Sequence, residues 1–414
     1  MNIIAKIEGH GALDIDFSAK KAKLRILEGE RLFEGILVGR PFDQTYWITP
    51  RICGVCPIVH ALASVKAVER AFRAQVSSQT IHLRSLLFCS QMIQSHILHL
   101  VFLSLPDYLG LDRGTEIKDQ HPRYFSFALN IKKAADFIAE TIGGRAVHPT
   151  TITAGGFFRL PKISQIKAIK SQLMQILNDA EGVLNLALSL DYPQLKNPCE
   201  YLSACPYDEN EYPIYNYQKI LSNRGFGLKI ENYQTEIKEK VVSNSTAKFA
   251  RRKGSGFMVG ALARMALFSD RFSPLIKKYL EKIDIEEMKF NPFYNNLAQP
   301  FEILHYTEQG ILLCDKILRD GLDERPTVGF KIKSGRGVGV MEAPRGTLYH
   351  DYTFDAKGNV LKANIITPTV QNLTHIEEDG NALLLTCDRS KNECIDLIKM
   401  LIRAYDPCIT CSVH

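Results

Sequence analysis

Two Cys-x-x-Cys pairs lie near opposite ends of this sequence. Cys53 and Cys56 form the first pair, and Cys408 and Cys411 form the second, three residues before His414. Four thiolates are a full ligand set for a thiophilic metal. The sequence therefore predicts that the two ends of the chain meet at a metal site and that the carboxyl-terminal end is buried.

The spacing of the cysteines leaves the identity of the metal open. Structural zinc, held by four thiolates in a closed tetrahedron, is the default interpretation of such a set. An iron–sulfur cluster and a redox-active centre containing nickel are the alternatives. In zinc ribbons and fingers the two ligand pairs usually lie close together in the sequence, whereas here most of the chain separates them.

The composition is that of an ordinary globular protein. The chain has 414 residues, of which 45% are apolar and 23% are charged, so it can bury a large core. Its 51 basic and 45 acidic side chains give a formal net charge of +6. This excess is small and dispersed, which argues against a nucleic-acid partner.

The sequence favours a cytoplasmic location. The first residues run directly into charged sequence without a signal-peptide pattern. The most apolar stretch, 99–105, is far shorter than the roughly 20 residues that a membrane-spanning helix needs, so no direct membrane span is expected. The ten cysteines do not indicate a disulfide framework in a chain of this length, which favours a reducing compartment. Six cysteines outside the two pairs are scattered along the sequence, and most of them are expected to be small core residues: Cys89, Cys199, Cys205, Cys314, Cys387 and Cys394.

Hydrophobic periodicity predicts a single interlocked body over residues 1–414. Residues 1–50 alternate short apolar pieces with charges and glycines and are expected to be rich in β-strands. Residues 51–190 show helical spacing, residues 191–245 are irregular, and residues 246–414 combine helices and strands that close the site. The predicted fold class is mainly α with smaller β elements (α+β). Helices are expected at 60–72, 80–105, 124–142, 162–190, 259–268, 307–320 and 392–405, and extended chain at 327–370.

Prolines and glycines set two further expectations. Pro106 is expected to end the helix at 80–105, and Pro407 follows the expected end of the last helix. The glycine patterns at 254–256 and 335–339 lack the spacing and the βαβ context of a dinucleotide site. No nucleotide-binding element is therefore predicted.

Taken together, the two cysteine segments at 51–60 and 406–414 resemble the paired signatures of the nickel–iron hydrogenase large subunit. This resemblance implies a multihelical fold in which the termini meet at a buried metal site. The chain departs from the family pattern at Lys6, where arginine is common, and at Val370 and Gln371, where many members have Thr-Trp. Other matching segments are the amino-terminal motif at 7–10, the glycine–histidine loop at 143–149 with 155–156, the proline–arginine motif at 342–346 and the strand–turn motif at 368–372.

The resemblance implies a nickel–iron centre and a role for each paired cysteine. Cys53, Cys56, Cys408 and Cys411 would bind nickel, and Cys56 and Cys411 would also bridge to an iron that carries carbon monoxide and cyanide. The implied activity is the reversible heterolytic cleavage of dihydrogen, which needs a base for the proton. By the resemblance, Cys408 takes this proton and Glu8 passes it outward.

Two further groups of residues follow from the resemblance. Pro344, Arg345 and Thr369 would surround the iron ligands, because a guanidinium suits a buried anion such as cyanide and a hydroxyl can donate a hydrogen bond. Glu34, His414 and the carbonyl group of Ile365 resemble the family's ligands for a divalent ion, usually magnesium. Magnesium prefers oxygen ligands, so its assignment to a histidine rests on the resemblance alone. Other histidines suit either a core position with satisfied hydrogen bonds or a proton relay: His60, His96, His99 and His148.

The resemblance also implies partners. Electrons would leave through an iron–sulfur small subunit, then through further flavin or electron-carrier subunits, as in the cytoplasmic group that couples to soluble carriers. A maturation protease and nickel chaperones are implied during assembly, because family members are usually cut after the last histidine once nickel is in place. Three alternatives stay open: a hydrogen-sensing regulatory hydrogenase, the related quinone-site subunit of complex I, which would lack the four cysteines, and a structural zinc protein.

Overall fold

Helices make up about 52% of this computed structural model, which describes residues 2–414. The strands form small antiparallel sheets of two or three strands each. The predicted class, mainly α with smaller β elements, is therefore confirmed. The division of the chain into four parts of one body stays a prediction.

The elements are numbered in chain order. The helices are α1 (Phe33–Leu37), α2 (Phe42–Ile48), α3 (Pro57–Phe72), α4 (Ser78–Leu98), α5 (Leu105–Leu109), α6 (Ile117–Gln120), α7 (Pro122–Gly143), α8 (Ile163–Gln175), α9 (Leu177–Leu188), α10 (Tyr233–Glu236), α11 (Ala261–Phe268), α12 (Pro274–Leu280), α13 (Ile285–Met288), α14 (Asn295–Asp320), α15 (Pro368–Thr386), α16 (Lys391–Ala404) and α17 (Ile409–Ser412). The strands are β1 (Asn2–Ile4), β2 (Gly11–Asp16), β3 (Lys21–Ile26), β4 (Ile152–Thr153), β5 (Gly156–Phe157), β6 (Leu202–Pro206), β7 (Tyr217–Ser222), β8 (Gly227–Lys229), β9 (Ile237–Lys240), β10 (Phe249–Arg252), β11 (Gly335–Ala343), β12 (Gly346–Phe354) and β13 (Val360–Ile366).

The amino-terminal part is only half β. Strands β1, β2 and β3 form an antiparallel meander, which matches the expectation for the first residues. Residues 33–52 instead form α1, α2 and a 3₁₀ turn, so the prediction of a β-rich part over residues 1–50 is wrong for its second half. Helices of five and seven residues contain too few turns for their periodicity to be read from the sequence.

The long apolar helix does not end at Pro106. Helix α4 continues through a π-helical segment, His99–Ser104, into α5, which ends before Gly110 in the left-handed conformation. Pro106 lies where the π-helical segment passes into α5, and such a change of helical hydrogen-bond pattern is a place where a helix accommodates proline. The predicted stop at Pro106 is therefore wrong.

This helix, Ser78–Leu109, is long and apolar enough to cross a membrane by length and composition. The sequence analysis considered only residues 99–105 and therefore did not predict an apolar helix of this length. Of its most apolar window, 83% is buried inside the protein, where α4 packs against α7 and α14. Burial in the core of the protein accounts for its composition.

The glycine pattern at 335–339 brings strand β11 against helix α3. A Cβ atom on Gly337 would lie 2.0 Å from the carbonyl oxygen of Ala67, and one on Gly339 would lie 1.9 Å from that of Ala63. Alternate residues of a strand share one face, so these glycines form a smooth strip that any side chain would fill. Close packing of backbone on backbone explains this pattern, which the sequence analysis excluded as a nucleotide site.

Two long helices differ from the sequence prediction. Helix α14 begins at Asn295 rather than near residue 307, and it contains Pro300 near its start. Helix α15 begins at Pro368, inside the range expected to be extended. The first turns of both helices are buried almost on every side, so apolar and polar residues do not alternate with a helical period there.

The irregular region, 191–245, contains short strands as expected, since β6, β7 and β8 form an antiparallel sheet and β9 pairs with β10. Most of the cysteines outside the two Cys-x-x-Cys pairs are free and buried, as expected: Cys89, Cys199, Cys205 and Cys314. Cys387 and Cys394 differ, because they form a disulfide between the end of α15 and the first turn of α16. Neither residue lies in a Cys-x-x-Cys motif, and a pairing across a turn cannot be read from spacing alone.

Candidate metal centre

The four paired cysteines meet at one buried place, as predicted. Their sulfur atoms all lie within 4.8 Å of one another. The Sγ atoms of Cys53 and Cys408 are 3.4 Å apart, and those of Cys56 and Cys411 are 3.3 Å apart. Each close contact therefore joins one cysteine from each end of the chain.

Each cysteine segment leads into a helix. Cys56 immediately precedes α3, and Cys408 immediately precedes α17. The Sγ of Cys53 accepts hydrogen bonds from the backbone N–H groups of Val55 at 3.2 Å and of Cys56 at 3.4 Å. Backbone donors at a helix start stabilise negative charge on a thiolate.

Arg31 connects the two segments, and the sequence analysis missed it. Its guanidinium donates to the carbonyl oxygens of Ile52, at 2.6 Å, and of Thr410. Its backbone N–H donates to the carbonyl oxygen of Val413 at 2.8 Å. No local pattern could have indicated this role, because all three acceptors are backbone atoms of segments distant in the chain.

The four buried sulfurs need a cation among them if all are to be thiolates. Burial raises the pKa values of the Cys408 and Cys411 thiols well above their usual range. Hydrogen bonds from the other cysteines, above all Cys408, hold the pKa of Cys53 well below its usual range. Four buried sulfurs this close cannot all carry negative charge unless a positive ion lies among them. The donor set of four thiolates thus fits a soft metal.

Glu8 lies directly beside the second cysteine segment. The Cys408 thiol donates to Oε2 of Glu8 at 2.9 Å, and the backbone N–H of Thr410 donates to the same oxygen at 3.1 Å. The backbone N–H of Ile409 donates to the carbonyl oxygen of Glu8 at 2.9 Å. The side chain is only partly buried, so one carboxylate connects a buried sulfur with the outside of the cluster.

Arg345 is buried and paired with Asp406. Its Nε donates to the carbonyl oxygen of Asp406 at 2.7 Å, and its Nη2 lies 2.8 Å from Oδ1 of the Asp406 carboxylate. Burial alone would lower the pKa of Arg345, but the Asp406 carboxylate and the neighbouring cysteines raise it well above the usual value. The guanidinium is therefore a permanent positive charge beside the sulfurs. The sequence analysis assigned Asp406 no such role.

Thr369 contacts the second cysteine segment, whereas Pro344 contacts a buried arginine. The carbonyl oxygen of Pro344 accepts a hydrogen bond from the buried Arg264 at 3.0 Å. Thr369, in the first turn of α15, accepts a hydrogen bond on its Oγ1 from the backbone N–H of Cys408 at 2.9 Å. Because this oxygen is the acceptor, its own proton is free to donate to another group.

The three predicted ligands of a divalent ion also come together. Nε2 of His414 lies 2.6 Å from the carbonyl oxygen of Ile365, and the backbone N–H of Ile365 donates to Oε1 of Glu34 at 2.7 Å. Glu34 and His414 line a cavity of about 280 Å³, into which Glu30 and Glu239 also face. Magnesium prefers carboxylate and carbonyl oxygens. Glu34 supplies a carboxylate to this cavity, and the ammonium group of Lys248, which also lines it, lies 3.3 Å from Oε2 of Glu34.

The four histidines of the sequence analysis are all hydrogen-bonded. Nε2 of His60 lies 3.8 Å from the sulfur of Cys411. Burial lowers the pKa of His60 to about 3. The other three contact protein groups away from the sulfurs, with His96 on Glu302, His99 on Gln299 and the carbonyl oxygen of Arg403, and His148 on the carbonyl oxygen of Pro50.

Comparison with known sequences gives consistent matches over the whole chain. A family profile described as nickel-dependent hydrogenase matches residues 31–120 and 203–414. The alpha subunit of sulfhydrogenase 1 from Pyrococcus furiosus is 36% identical over 99% of this chain and 96% of its own length. The alpha subunit of sulfhydrogenase 2 from the same organism is 32% identical over 99% of this chain and 97% of its own length. The beta subunit of the NAD-reducing hydrogenase HoxS from Cupriavidus necator is 27% identical over 99% and 93%.

Solved structures share the fold. An NAD+-reducing NiFe-hydrogenase in the H2-reduced state superposes with a TM-score of 0.88 at 23% identity, covering 100% of this chain and 98% of the other. The reduced, active NiFeSe hydrogenase from Desulfomicrobium baculatum superposes with a TM-score of 0.83 at 22% identity, covering 99% and 98%. At these identities the likeness establishes the architecture of the chain.

Proposed function

This chain belongs to the nickel-dependent hydrogenase family, and we propose that it is the catalytic large subunit that cleaves dihydrogen reversibly into protons and electrons. The observation that carries the proposal is the buried set of four cysteine sulfurs within 4.8 Å of one another. Soft thiolates suit nickel, and a set drawn from both ends of the chain encloses the metal away from water.

The four cysteines would hold a nickel–iron group. All four sulfurs would bind nickel, and Cys56 and Cys411 would also bind iron, a division that rests on the resemblance to the family. The Sγ atoms of Cys56 and Cys411 lie 3.3 Å apart, close enough for both to bind the same ion. When bound, the group supplies the coordination position that polarises dihydrogen and accepts its electrons.

The proton would leave through Cys408 and Glu8. The contact of 2.9 Å between the Cys408 sulfur and Oε2 of Glu8 lies within the reach that proton transfer requires. Two further hydrogen bonds from Thr410, one from its backbone N–H and one from its hydroxyl group, hold the Glu8 carboxylate in place. The proton thus moves from a buried sulfur to a partly exposed carboxylate.

Pro344, Arg345 and Thr369 would surround carbon monoxide and cyanide ligands on the iron. The guanidinium of Arg345 is buried and lies among the sulfurs and Asp406, so it can donate to a bound anion without losing its charge. The free hydroxyl proton of Thr369 supplies a second donor. A magnesium ion held by Glu34, Ile365 and His414 would support the carboxyl-terminal segment that carries Cys411.

Electrons would leave through an iron–sulfur small subunit. Relatives such as the alpha subunit of sulfhydrogenase 1 are named as subunits of larger hydrogenases, which supports a partner for this chain. Further flavin or electron-carrier subunits, a maturation protease, nickel chaperones and a cytoplasmic location are additional parts of the proposal. Purification of this chain from its native cells, with identification of the iron–sulfur and flavin proteins bound to it, would test the electron-carrying partners.

Infrared spectroscopy with metal analysis tests the proposed function. We expect nickel and iron in equal amounts and absorption bands of metal-bound carbon monoxide and cyanide in the anaerobically purified protein. A protein that contains only zinc and shows none of these bands would refute the proposal. The same measurement separates this function from a structural zinc site.

Replacement of Glu8 tests the proton route. Glu8→Gln keeps the size of the side chain but cannot carry the proton, so hydrogen/deuterium exchange with solvent should fall by about 100-fold or more. The infrared bands should persist, since Glu8 binds no metal in this proposal. The control is Glu28→Gln, because Glu28 bonds to His10 and does not contact Cys408. Unchanged exchange in Glu8→Gln would remove Glu8 from the route.

A further inference from the structure

Asp406 has an unusual backbone conformation beside the sulfur cluster. Its φ angle is 50°, in the left-handed region that few residues other than glycine adopt. The residue is only 1% exposed and lies two positions before Cys408. A side chain keeps such a strained backbone only where the surrounding structure holds it. The contacts of Asp406 therefore indicate what positions this segment.

Besides Arg345, two buried side chains hold the segment that ends at Asp406. Nε2 of Gln299 donates to Oδ2 of Asp406 at 3.2 Å, and Oε1 of the same amide lies 2.7 Å from Nδ1 of His99. Nε2 of His99 lies 2.8 Å from the carbonyl oxygen of Arg403. Gln299 and His99 are at most 2% exposed, so solvent does not compete for these contacts.

The acceptors around His99 determine where its protons lie. The Asp406 carboxylate is paired with Arg345 and can only accept hydrogen bonds. The Gln299 amide therefore turns its NH₂ group to Asp406 and its oxygen to His99, so Nδ1 of His99 donates. Nε2 faces a backbone carbonyl oxygen, which also only accepts, so Nε2 donates as well. A ring that donates from both nitrogens is the positively charged imidazolium.

We propose that Gln299 and a positively charged His99 are positioning residues for Arg345. They act through Asp406, whose carboxylate and carbonyl oxygen both contact the Arg345 guanidinium. The guanidinium is thereby kept beside the sulfurs, where it donates to the iron ligands in the proposed function. This inference rests on the proposed nickel–iron centre and adds two residues that hold its surroundings.

The charge on His99 has a counterion in the protein. Nε2 of His99 lies 3.9 Å from Oδ1 of Asp406, so this carboxylate lies between the imidazolium and the guanidinium of Arg345. A buried charge is tolerated where a counterion and hydrogen bonds compensate the loss of water. Two positive groups and one negative group thus lie beside four sulfurs that bind metal as thiolates. The excess positive charge offsets part of the negative charge that the thiolates bring into the interior.

The helices that carry the two residues are irregular at this place. His99 is the first residue of the π-helical segment between α4 and α5, and Gln299 directly precedes Pro300 in α14. The π-helical segment packs against both α14 and α16, the helix that leads to Asp406. Single π-helical turns inside α-helices occur frequently at functional sites. A positioning role for His99 agrees with this irregularity.

Neutron diffraction from crystals of the holoenzyme tests the hydrogen positions. We expect a hydrogen or deuterium atom on both ring nitrogens of His99 and none on the carboxylate of Asp406. The NH₂ group of Gln299 should face Asp406. A single hydrogen on the His99 ring, or a protonated Asp406, would overturn the inference.

Infrared spectra of holoenzyme variants test the positioning. Gln299→Met keeps the length of the side chain but removes both hydrogen bonds, so Asp406 and Arg345 should move. At the nickel and iron content of the parent, a cyanide band should shift more than the carbon monoxide band, because an anionic cyanide is the stronger acceptor for a guanidinium. The matched control is Gln309→Met, on the same helix but lining a surface cavity. Unmoved bands in Gln299→Met, or an equal shift in Gln309→Met, would contradict the positioning role.

Redox titration tests the charge. His99→Gln replaces the cation by a neutral side chain, so the midpoint potential of nickel should move to a more negative value. The control is His305→Gln, because burial lowers the pKa of His305 to about 3 and its replacement removes no charge. An unchanged potential in His99→Gln, or an equal shift in His305→Gln, would refute the charged form.

Two outcomes separate this inference from the proposed function. If Gln299→Met or His99→Gln fails to load nickel, the neutron measurement on the parent protein decides. Absence of the carbon monoxide and cyanide bands from the parent protein would instead refute the proposed function, and the hydrogen positions at His99 would still test the inference.

Discussion

Two side chains from distant parts of the sequence hold Cys408 by different atoms. Glu8 contacts its sulfur at 2.9 Å, and Thr369 accepts a hydrogen bond from its backbone N–H at 2.9 Å. In the proposed proton route the first contact would involve the sulfur that releases the proton, and the second holds the backbone that carries this sulfur. Cys408 would then release a proton without moving, which favours fast transfer over a short distance.

The threonine contact gives a prediction for single residues. Thr369→Val removes the acceptor and leaves the buried N–H of Cys408 without a partner, which should lower the free energy of unfolding by about 1–3 kcal/mol. Thr369→Ser keeps the oxygen and should lie close to the parent protein. Chemical denaturation of the three proteins measures the difference. Equal stability of the valine and serine variants would contradict the role of the hydroxyl oxygen.

At the scale of elements, helix α3 is the central positioning element. It begins immediately after Cys56, carries His60 in its first turn and packs along the glycine strip of β11. The cysteine segment fixes where α3 begins, and the packing against β11 fixes its position beside the sheet. A sheet that moved away from α3 would displace both a metal ligand and the hydrogen bond to the opposite cysteine.

The glycine strip gives a prediction for this element pair. Gly337→Ala places a Cβ atom 2.0 Å from the carbonyl oxygen of Ala67, so strand and helix must separate. We expect a loss of stability of about 1–3 kcal/mol or more and a lower nickel content after expression. Gly329→Ala is the control, since a Cβ atom there meets nothing within 4 Å. Thermal unfolding and metal analysis of both variants test the expectation, which fails if the two behave alike.

The disulfide gives a prediction for the pair α15 and α16. It closes a loop between residues separated by seven positions. Closing such a loop lowers the conformational entropy of the unfolded chain and so stabilises the folded state by about 2–3 kcal/mol. Reduction should therefore lower the free energy of unfolding by about that amount. The variant Cys394→Ala should show the lower stability without reductant and no further response to it. Mass spectrometry after alkylation without reduction should find Cys387 and Cys394 unmodified; if both are alkylated, the bond is absent.

At the scale of the molecule, the two ends of the chain close over one site. The backbone of Glu8 pairs with that of Cys408 in an isolated parallel bridge, and Arg31 joins the segments before Cys53 and after Cys408. His414 in turn contacts the carbonyl oxygen of Ile365 at the end of β13. Residues separated by nearly the whole sequence are thus neighbours, and the site can form only when the entire chain has folded.

Buried neutral histidines give a prediction for the stability of the whole molecule. Burial lowers the pKa of His60 and of His305 to about 3 each. An unfolded histidine binds a proton below about pH 6.5, whereas these folded ones do not, so stability should fall as pH decreases from about 6.5 toward 3. Each such group contributes up to about 1.4 kcal/mol per pH unit in this range.

Replacement of His305 isolates one of these contributions. His305→Leu should make the decline of stability with decreasing pH shallower, because the unfolded chain then binds one proton fewer. It should cost little at pH 7, because among residues 2–414 the imidazole has no hydrogen-bond partner to lose. Its control, Leu312→Ala, concerns an exposed side chain of the same helix that carries no titratable group, so it should leave the slope unchanged. Urea unfolding at a series of pH values gives the slopes. Identical slopes in parent and His305→Leu would contradict the buried neutral state.

The sequence by itself identified the family of this protein and the four cysteines that cluster for metal binding. Cysteine identity and spacing predicted a four-thiolate site that unites both ends, and the surrounding motifs led to Glu8, Arg345, Thr369 and His414, all of which lie at or beside it. These features are local, since a motif is a short run of residue types. Amphipathic helices such as α7 and α16 were predictable for the same reason.

Only the tertiary structure decided which groups face one another. The pairing of each sulfur with one from the other end, the role of Arg31 and the contact of Gln299 with Asp406 join segments that no local pattern relates. The beginnings of α14 and α15 were hidden because helices buried on all sides lack a polar face. The reason for the glycines of β11 became clear only from their contact with the backbone of α3.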